Sequence, residues 1–145
     1  YPQAKYIHIV RDPRKLFPST MKLWNSLDEH QALQAPTDQV ALQSFVLESL
    51  KTMYGAFERD RLNIPSGQII DVHYEQFIAK PVESLMGIYE HLGLGDPESM
   101  RVAWESKAAQ EQGYQTNKLQ INREEESMIL EHWGQYARRY GYLES

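Results

Sequence analysis

Residues 5–24 read KYIHIVRDPRKLFPSTMKLW, and this stretch decides the fold. Lys5–Val10 is a short apolar run rich in β-branched residues and predicts a buried strand. It stops at Arg11-Asp12-Pro13. Asp12 suits a helix N-cap, and Pro13 suits the first helical position, where its missing N–H costs nothing. Pro18 lies five residues on, so the opening turn is expected to break and restart there. A helix then runs from about Pro18 to Leu33, with Met21, Leu23, Trp24 and Leu27 as its apolar positions. Strand, tight turn and helix in that order are the opening of an α/β unit.

Further along, Gln34–Thr37 is a loop around Pro36, and Asp38–Arg61 is a long amphipathic helix. Leu42, Phe45, Val46, Leu50, Met53, Tyr54 and Phe57 set its 3.6-residue period. Asn63–Gly67 is a turn, and Gln68–His73 is a second short strand. Pro81–Leu92 is a helix closed by Gly93. Asp96-Pro97 repeats the cap-then-proline start, and that helix runs to about Ala109. Gln110–Ile121 is a polar loop. Asn122 with Glu125 forms a variant capping box for a last helix, Arg123–Tyr140, stopped by Gly141. Two strands separated by long helices imply a parallel sheet with crossover helices, an α/β fold that is helix-rich here. The usual sheet has about four to six strands. The chain also opens at Tyr1-Pro2 without an initiator Met. The expectation is an incomplete domain whose missing strands lie upstream of Tyr1.

Composition narrows the function. The 145 residues are 41% hydrophobic and 24% charged, ordinary for one soluble domain. No run approaches the ~18 apolar residues of a membrane span. There is no cysteine, which excludes disulfides and thiolate–zinc sites and fits a reducing, cytoplasmic compartment. No set of His and carboxylates has ligand spacing, so no metal is expected. A net charge of −5 argues against nucleic acid as a partner. The charge is uneven: residues 1–24 hold Lys5, Arg11, Arg14, Lys15 and Lys22 against Asp12 alone. A local basic patch on an acidic body suits one small anionic ligand; chance clustering is the alternative.

Ligands of open α/β sheets bind outside the carboxyl ends of the strands, where Arg11 sits. The helix that follows aims free amides and its positive dipole end at the same place. Ser19, eight residues past Arg11, is far enough along to face it with a hydroxyl, and Arg14 and Lys15 add positive potential. Guanidinium, hydroxyl and helix amides together describe a phosphate site. The same residues also allow a structural ion pair of Arg11 with Asp12, Asp71 or Glu75.

The run strand–Arg-Asp-Pro-Arg–x–x–Phe-Pro-Ser-Thr resembles the 3′-phosphate-binding motif of the PAPS-dependent sulfotransferases. Val72-His73-Tyr74-Glu75-Gln76-Phe77, followed by Pro81, Leu85, Ile88, Tyr89 and Leu92, resembles a later segment of that family. Tyr114-Gln115-Thr116-Asn117 and Tyr140-Gly141-Tyr142 resemble the C-terminal part of its bacterial-type branch. The likeness covers nearly the whole chain in order, and it implies that residues 1–145 are the C-terminal part of one sulfotransferase domain. It implies a P-loop NTPase-like sheet with flanking helices. It implies 3′-phosphoadenosine 5′-phosphosulfate (PAPS) as donor and transfer of the sulfuryl group to a hydroxyl or amine on a small-molecule or glycan acceptor. By that resemblance Arg11 and Ser19 clamp the 3′-phosphate, and Tyr74 lies near the adenine or ribose, an ordinary core-edge tyrosine being the alternative. Lys118 is the nearest substitute for a C-terminal Arg-Lys-Gly loop that this chain lacks.

The family's 5′-phosphosulfate loop and its catalytic base have no counterpart here, and no G-x-x-x-x-G-K-[ST] run occurs. Both are expected upstream of Tyr1, so the 145 residues alone are expected to be inactive. His73, at a strand end, is the candidate base within the chain. His8 reads as structural, and His30, His91 and His132 as helix-surface residues. Trp24, Leu27 and Met21 read as core packing rather than as an acceptor pocket. Two other functions fit the same elements: a non-catalytic interaction module that keeps the fold, and a related nucleotide kinase using ATP.

Overall fold

The computed structural model describes residues 1–31, 38–111 and 120–144. Strand β1 is Tyr6–Val10, followed by helix α1 (Pro13–Gln31) and helix α2 (Gln39–Asp60). Two 3-10 turns, Arg61–Asn63 and Ser66–Gln68, lead to strand β2 (Ile69–His73). Helices α3 (Tyr74–Ala79), α4 (Pro81–Leu92), α5 (Glu98–Gln110) and α6 (Arg123–Arg139) complete the order. The expected loop 34–37, and residues 112–119 of the expected loop 110–121, lie outside the described residues. The chain divides into two compact units, Tyr1–Arg11 with Arg61–Thr116, and Asp12–Asp60 with Asn117–Ser145.

In the first unit β1 and β2 pair in parallel, from Tyr6 opposite Ile69 to Val10 opposite His73. Side chains alternate faces along a strand. Val72 packs on Ile88 and Leu92 of α4, with Ile70 and Phe77 at the margin. The partners of Ile70 and Val72 across the sheet, Ile7 and Ile9, are 50% and 59% exposed. The expectation of a buried first strand therefore holds only at Val10, which is fully buried. The reason is coverage: among the described residues β1 has a strand on one edge only, and α4 packs on Val72 of β2.

The Asp-Pro pattern starts a helix twice. Asp12 Oδ1 accepts from the Arg14 amide at 2.9 Å, and Asp96 Oδ1 from the Glu98 amide at 3.1 Å. Each satisfies one of the amides that a helix N-terminus leaves without a partner. The break expected at Pro18 does not occur, and Pro18 lies inside α1. So near the N-terminus it forfeits a single backbone bond. The buried stripe Pro13, Phe17 and Met21 holds the helix through it. Helix α3 was not expected, and it adds one short turn between β2 and α4. At the end of α4, Gly93 takes φ 62°, and the Leu94 amide reaches back to the Tyr89 carbonyl at 3.0 Å. That left-handed residue is nearly free for glycine alone.

The second unit is built on α1, α2 and α6. Its core joins Phe17 and Met21, Leu42, Val46 and Leu47, and Ile129 and Trp133. Trp133 is 2% exposed, meets the edge of Phe17 at 5.7 Å, and donates its indole N–H to the Leu47 carbonyl at 2.9 Å. Helix α6 begins with the expected capping box. The Glu125 amide donates to Asn122 Oδ1 at 2.9 Å, and the Asn122 amide to Glu125 Oε2 at 2.8 Å. Two of the apolar positions read as helix-face packing, Phe45 and Met53, are more than half exposed.

Candidate functional site

The register of the sheet fixes the first part of the site. Val10 and His73 are opposite one another, so the residues that follow them, Arg11 and Tyr74, emerge together at the carboxyl end of the parallel pair. The Arg11 guanidinium carbon lies 4.5 Å from the centroid of the Tyr74 ring. Both side chains are half-buried. A guanidinium over a ring face gains about 0.5–2 kcal/mol, which holds its plane in one orientation. Ligands of open parallel sheets bind outside the carboxyl ends of the strands, and that is where this cation and ring meet. His73, also half-buried, closes β2 beside them.

Ser19 lies on α1, in the second unit, and is half-buried. Arg14 is committed to the turn it starts. Its Nε lies 2.9 Å from Asp12 Oδ1 and its Nη2 3.0 Å from Asp12 Oδ2. Nη1 lies 3.5 Å from Glu126, and Nη2 3.4 Å from the Tyr142 carbonyl. The hydrogen bonds to Asp12 raise its pKa further above an already basic value. Its charge is thus matched within the unit, and Arg14 stabilises the cap rather than adding a bare cation. Lys15 is exposed. Lys118 lies outside the described residues.

The residues around this edge account for the other candidates. Asp71, one of the partners considered for Arg11, accepts from His8 Nδ1 at 2.8 Å and pairs with Arg61 Nη2 at 2.9 Å. Sequence reading missed this triad, since Arg61 was taken as the end of a helix. Burial alone would raise the Asp71 pKa, but the hydrogen bonds from Arg61 and His8 outweigh it and hold the carboxyl below its ordinary value. A carboxylate held low in the folded state stabilises fully above its unfolded pKa, about 4, and that stabilisation disappears as pH falls through the folded value. Melting temperature measured from pH 6 to pH 2 should therefore drop on the acid side. Asp71→Asn should flatten that drop, and an unchanged acid limb would show that the triad contributes nothing.

His91 is not a bare surface residue: its Nε2 lies 3.0 Å from the carbonyls of both Ser66 and Ile69, tying α4 to the start of β2. His30 is exposed, and His132 is half-buried. Met21 belongs to the core, and Trp24 meets Phe45 edge-on at 5.6 Å. Among the described residues no group of three or more His, Asp and Glu could hold a metal ion, and no helix is long and apolar enough to cross a membrane.

The chain is 36% identical over 142 residues to omega-hydroxy-beta-dihydromenaquinone-9 sulfotransferase Stf3 of Mycobacterium bovis, and equally to that of Mycobacterium tuberculosis. Each alignment takes in 98% of this chain and 36% of the relative, so the chain spans about a third of those proteins' length. No solved structure matches significantly. Residues 1–98, which include Arg11, Ser19 and Tyr74, match the Sulfotransferase family, and the chain belongs to that family.

Proposed function

We propose that this chain is part of a sulfotransferase that uses PAPS, and that it supplies the site for the donor's 3′-phosphate. The observation that carries the reading is the pair Arg11 and Tyr74, set side by side past the ends of two parallel strands with the cation over the ring. In this reading Arg11 grips the 3′-phosphate by charge-assisted hydrogen bonds, and Tyr74 borders the adenosine. Ser19 is assigned to the same phosphate on its spacing in the motif alone. Lys118 is assigned there on its place in the C-terminal segment, and Arg14 acts indirectly by holding Asp12 on the turn.

Both units then belong to one P-loop NTPase-like domain, since the family match runs through segments of each. The exposed Ile7 and Ile9 suit a sheet whose face carries a further packed layer. The reaction breaks the bond between sulfur and the 5′-phosphate oxygen and forms one from sulfur to the acceptor oxygen. The acceptor's proton passes to a base, and 3′,5′-adenosine bisphosphate leaves. Arg11 works at a distance: binding energy at a remote phosphate aligns the reacting centre. The base and the 5′-phosphosulfate loop are assigned to the part of the relatives' length that this chain does not span, and His73 is the candidate base within this chain. The compound in the mycobacterial relatives' name, omega-hydroxy-beta-dihydromenaquinone-9, favours a hydroxyl on a small molecule over a glycan or an amine. The absence of cysteine fits the cytoplasm.

Calorimetric titration of the full-length protein tests the donor. 3′,5′-Adenosine bisphosphate should bind at least tenfold more tightly than ATP. Equal affinities, or a preference for ATP, would overturn the reading in favour of a kinase-like nucleotide site.

A further inference from the structure

Within the second unit, α2 and α6 leave a cleft of about 280 Å3. Its walls are aromatic. Tyr54 comes from α2, and Trp133, Tyr136 and Tyr140 come from α6 and its end. The Tyr54 and Tyr136 rings meet at 4.6 Å and 71°, so they form a corner rather than a stack. One end is polar: the Tyr140 hydroxyl donates to the Glu58 carboxylate, and the Arg139 guanidinium pairs with that carboxylate.

Size, charge and one glycine narrow the ligand. An apolar cavity of about 150 Å3 accepts a single benzene ring, so this cleft has room for two fused rings. The charges balance: Lys51 and Arg139 on the lining are answered by Glu58 and by Glu48, which lies 3.6 Å from Lys51 and 3.8 Å from His132. A neutral compound is therefore favoured over an organic ion. Burial, with Tyr136 beside it, pushes the Tyr54 phenol well above its ordinary pKa, so it stays a neutral donor. Gly55 lies inside α2, towards its C-terminal end, where glycine is less stable than alanine. Gly55 is on the lining and exposed, and a Cβ added there would meet nothing within 4 Å, so a larger side chain can grow from it.

We propose that the α2–α6 cleft binds a neutral, hydroxylated aromatic compound of about two fused rings, its ring against the tyrosines and its hydroxyl at the Glu58–Arg139 end. The site shares no residue with Arg11, Ser19 or Tyr74, and it stands whether or not the donor reading does.

The probe is 2,7-dihydroxynaphthalene, titrated into the full-length protein by calorimetry and by NMR. One saturable site is expected, at least fivefold tighter than for naphthalene-2-sulfonate. Gly55→Leu should fill the cleft and weaken binding at least tenfold, while Gly55→Ala keeps it within threefold. Glu58→Gln should weaken the diol but not naphthalene. Absence of saturable binding, or a diol affinity that Gly55→Leu leaves unchanged, would overturn the proposal. If the leucine variant does not fold, the wild-type protein decides. Shifts centred on Gly55, Gln135 and Arg139 support the site, and shifts centred elsewhere overturn it.

Discussion

Arg11→Ala in the full-length protein should weaken binding of 3′,5′-adenosine bisphosphate ten- to hundredfold, while affinity for 5′-AMP changes less than threefold. The expectation follows from the charge-assisted bond assigned to this residue, about 1.5–3 kcal/mol. Only the bisphosphate carries the anion that Arg11 is proposed to grip, so the two ligands separate a lost contact from a general disturbance of the edge. Arg11→Lys sharpens the test. Lysine keeps the charge but loses the planar fork and the fit over Tyr74 at 4.5 Å, so it should recover only part of the loss. An equal loss for both nucleotides would mean that Arg11 supports the strand end and does not meet the 3′-phosphate.

Trp133→Ala should cost about 3–5 kcal/mol of stability, read from chemical denaturation. Trp133 is among the largest fully enclosed side chains of its unit, and it touches both Phe17 of α1 and Leu47 of α2. Removing it opens a cavity among residues already fixed by their own helices. It also deprives the Leu47 carbonyl of the indole N–H at 2.9 Å. Trp133→Phe divides the two contributions: most of the ring packing stays, and the hydrogen bond goes, at about 1–3 kcal/mol. If both variants cost the same, the bond to Leu47 rather than the ring volume is what holds α6.

The elements most legible in the sequence were those written in local chemistry. Asp12-Pro13 and Asp96-Pro97 announce helix starts because the aspartate meets an amide two residues on. Asn122 with Glu125 and the glycines 93 and 141 mark ends for the same kind of reason. What stayed hidden depends on partners distant in the chain. Asp71 finds His8 and Arg61 only after the strands pair, and Arg14 finds Glu126 across more than a hundred residues. The short helix α3 carries too few residues to show a period. The Tyr54, Tyr136 and Tyr140 cluster looked like ordinary helix positions until α2 met α6. The motif residues Arg11 and Tyr74 were legible singly; the register that makes them neighbours was not.

The second unit also imposes an order of events on synthesis. Helices α1 and α2 are made before α6, and the core they share is finished by Ile129 and Trp133 of α6. Roughly sixty residues separate α2 from α6. At ordinary translation speeds of 5–20 residues per second, the apolar stripes of α1 and α2 stay open to water for roughly 3–12 s after α2 is complete. During that interval the nascent chain presents Phe17, Met21, Leu42, Val46 and Leu47 without their cover, the kind of transient apolar surface that makes a folding chain prone to aggregate.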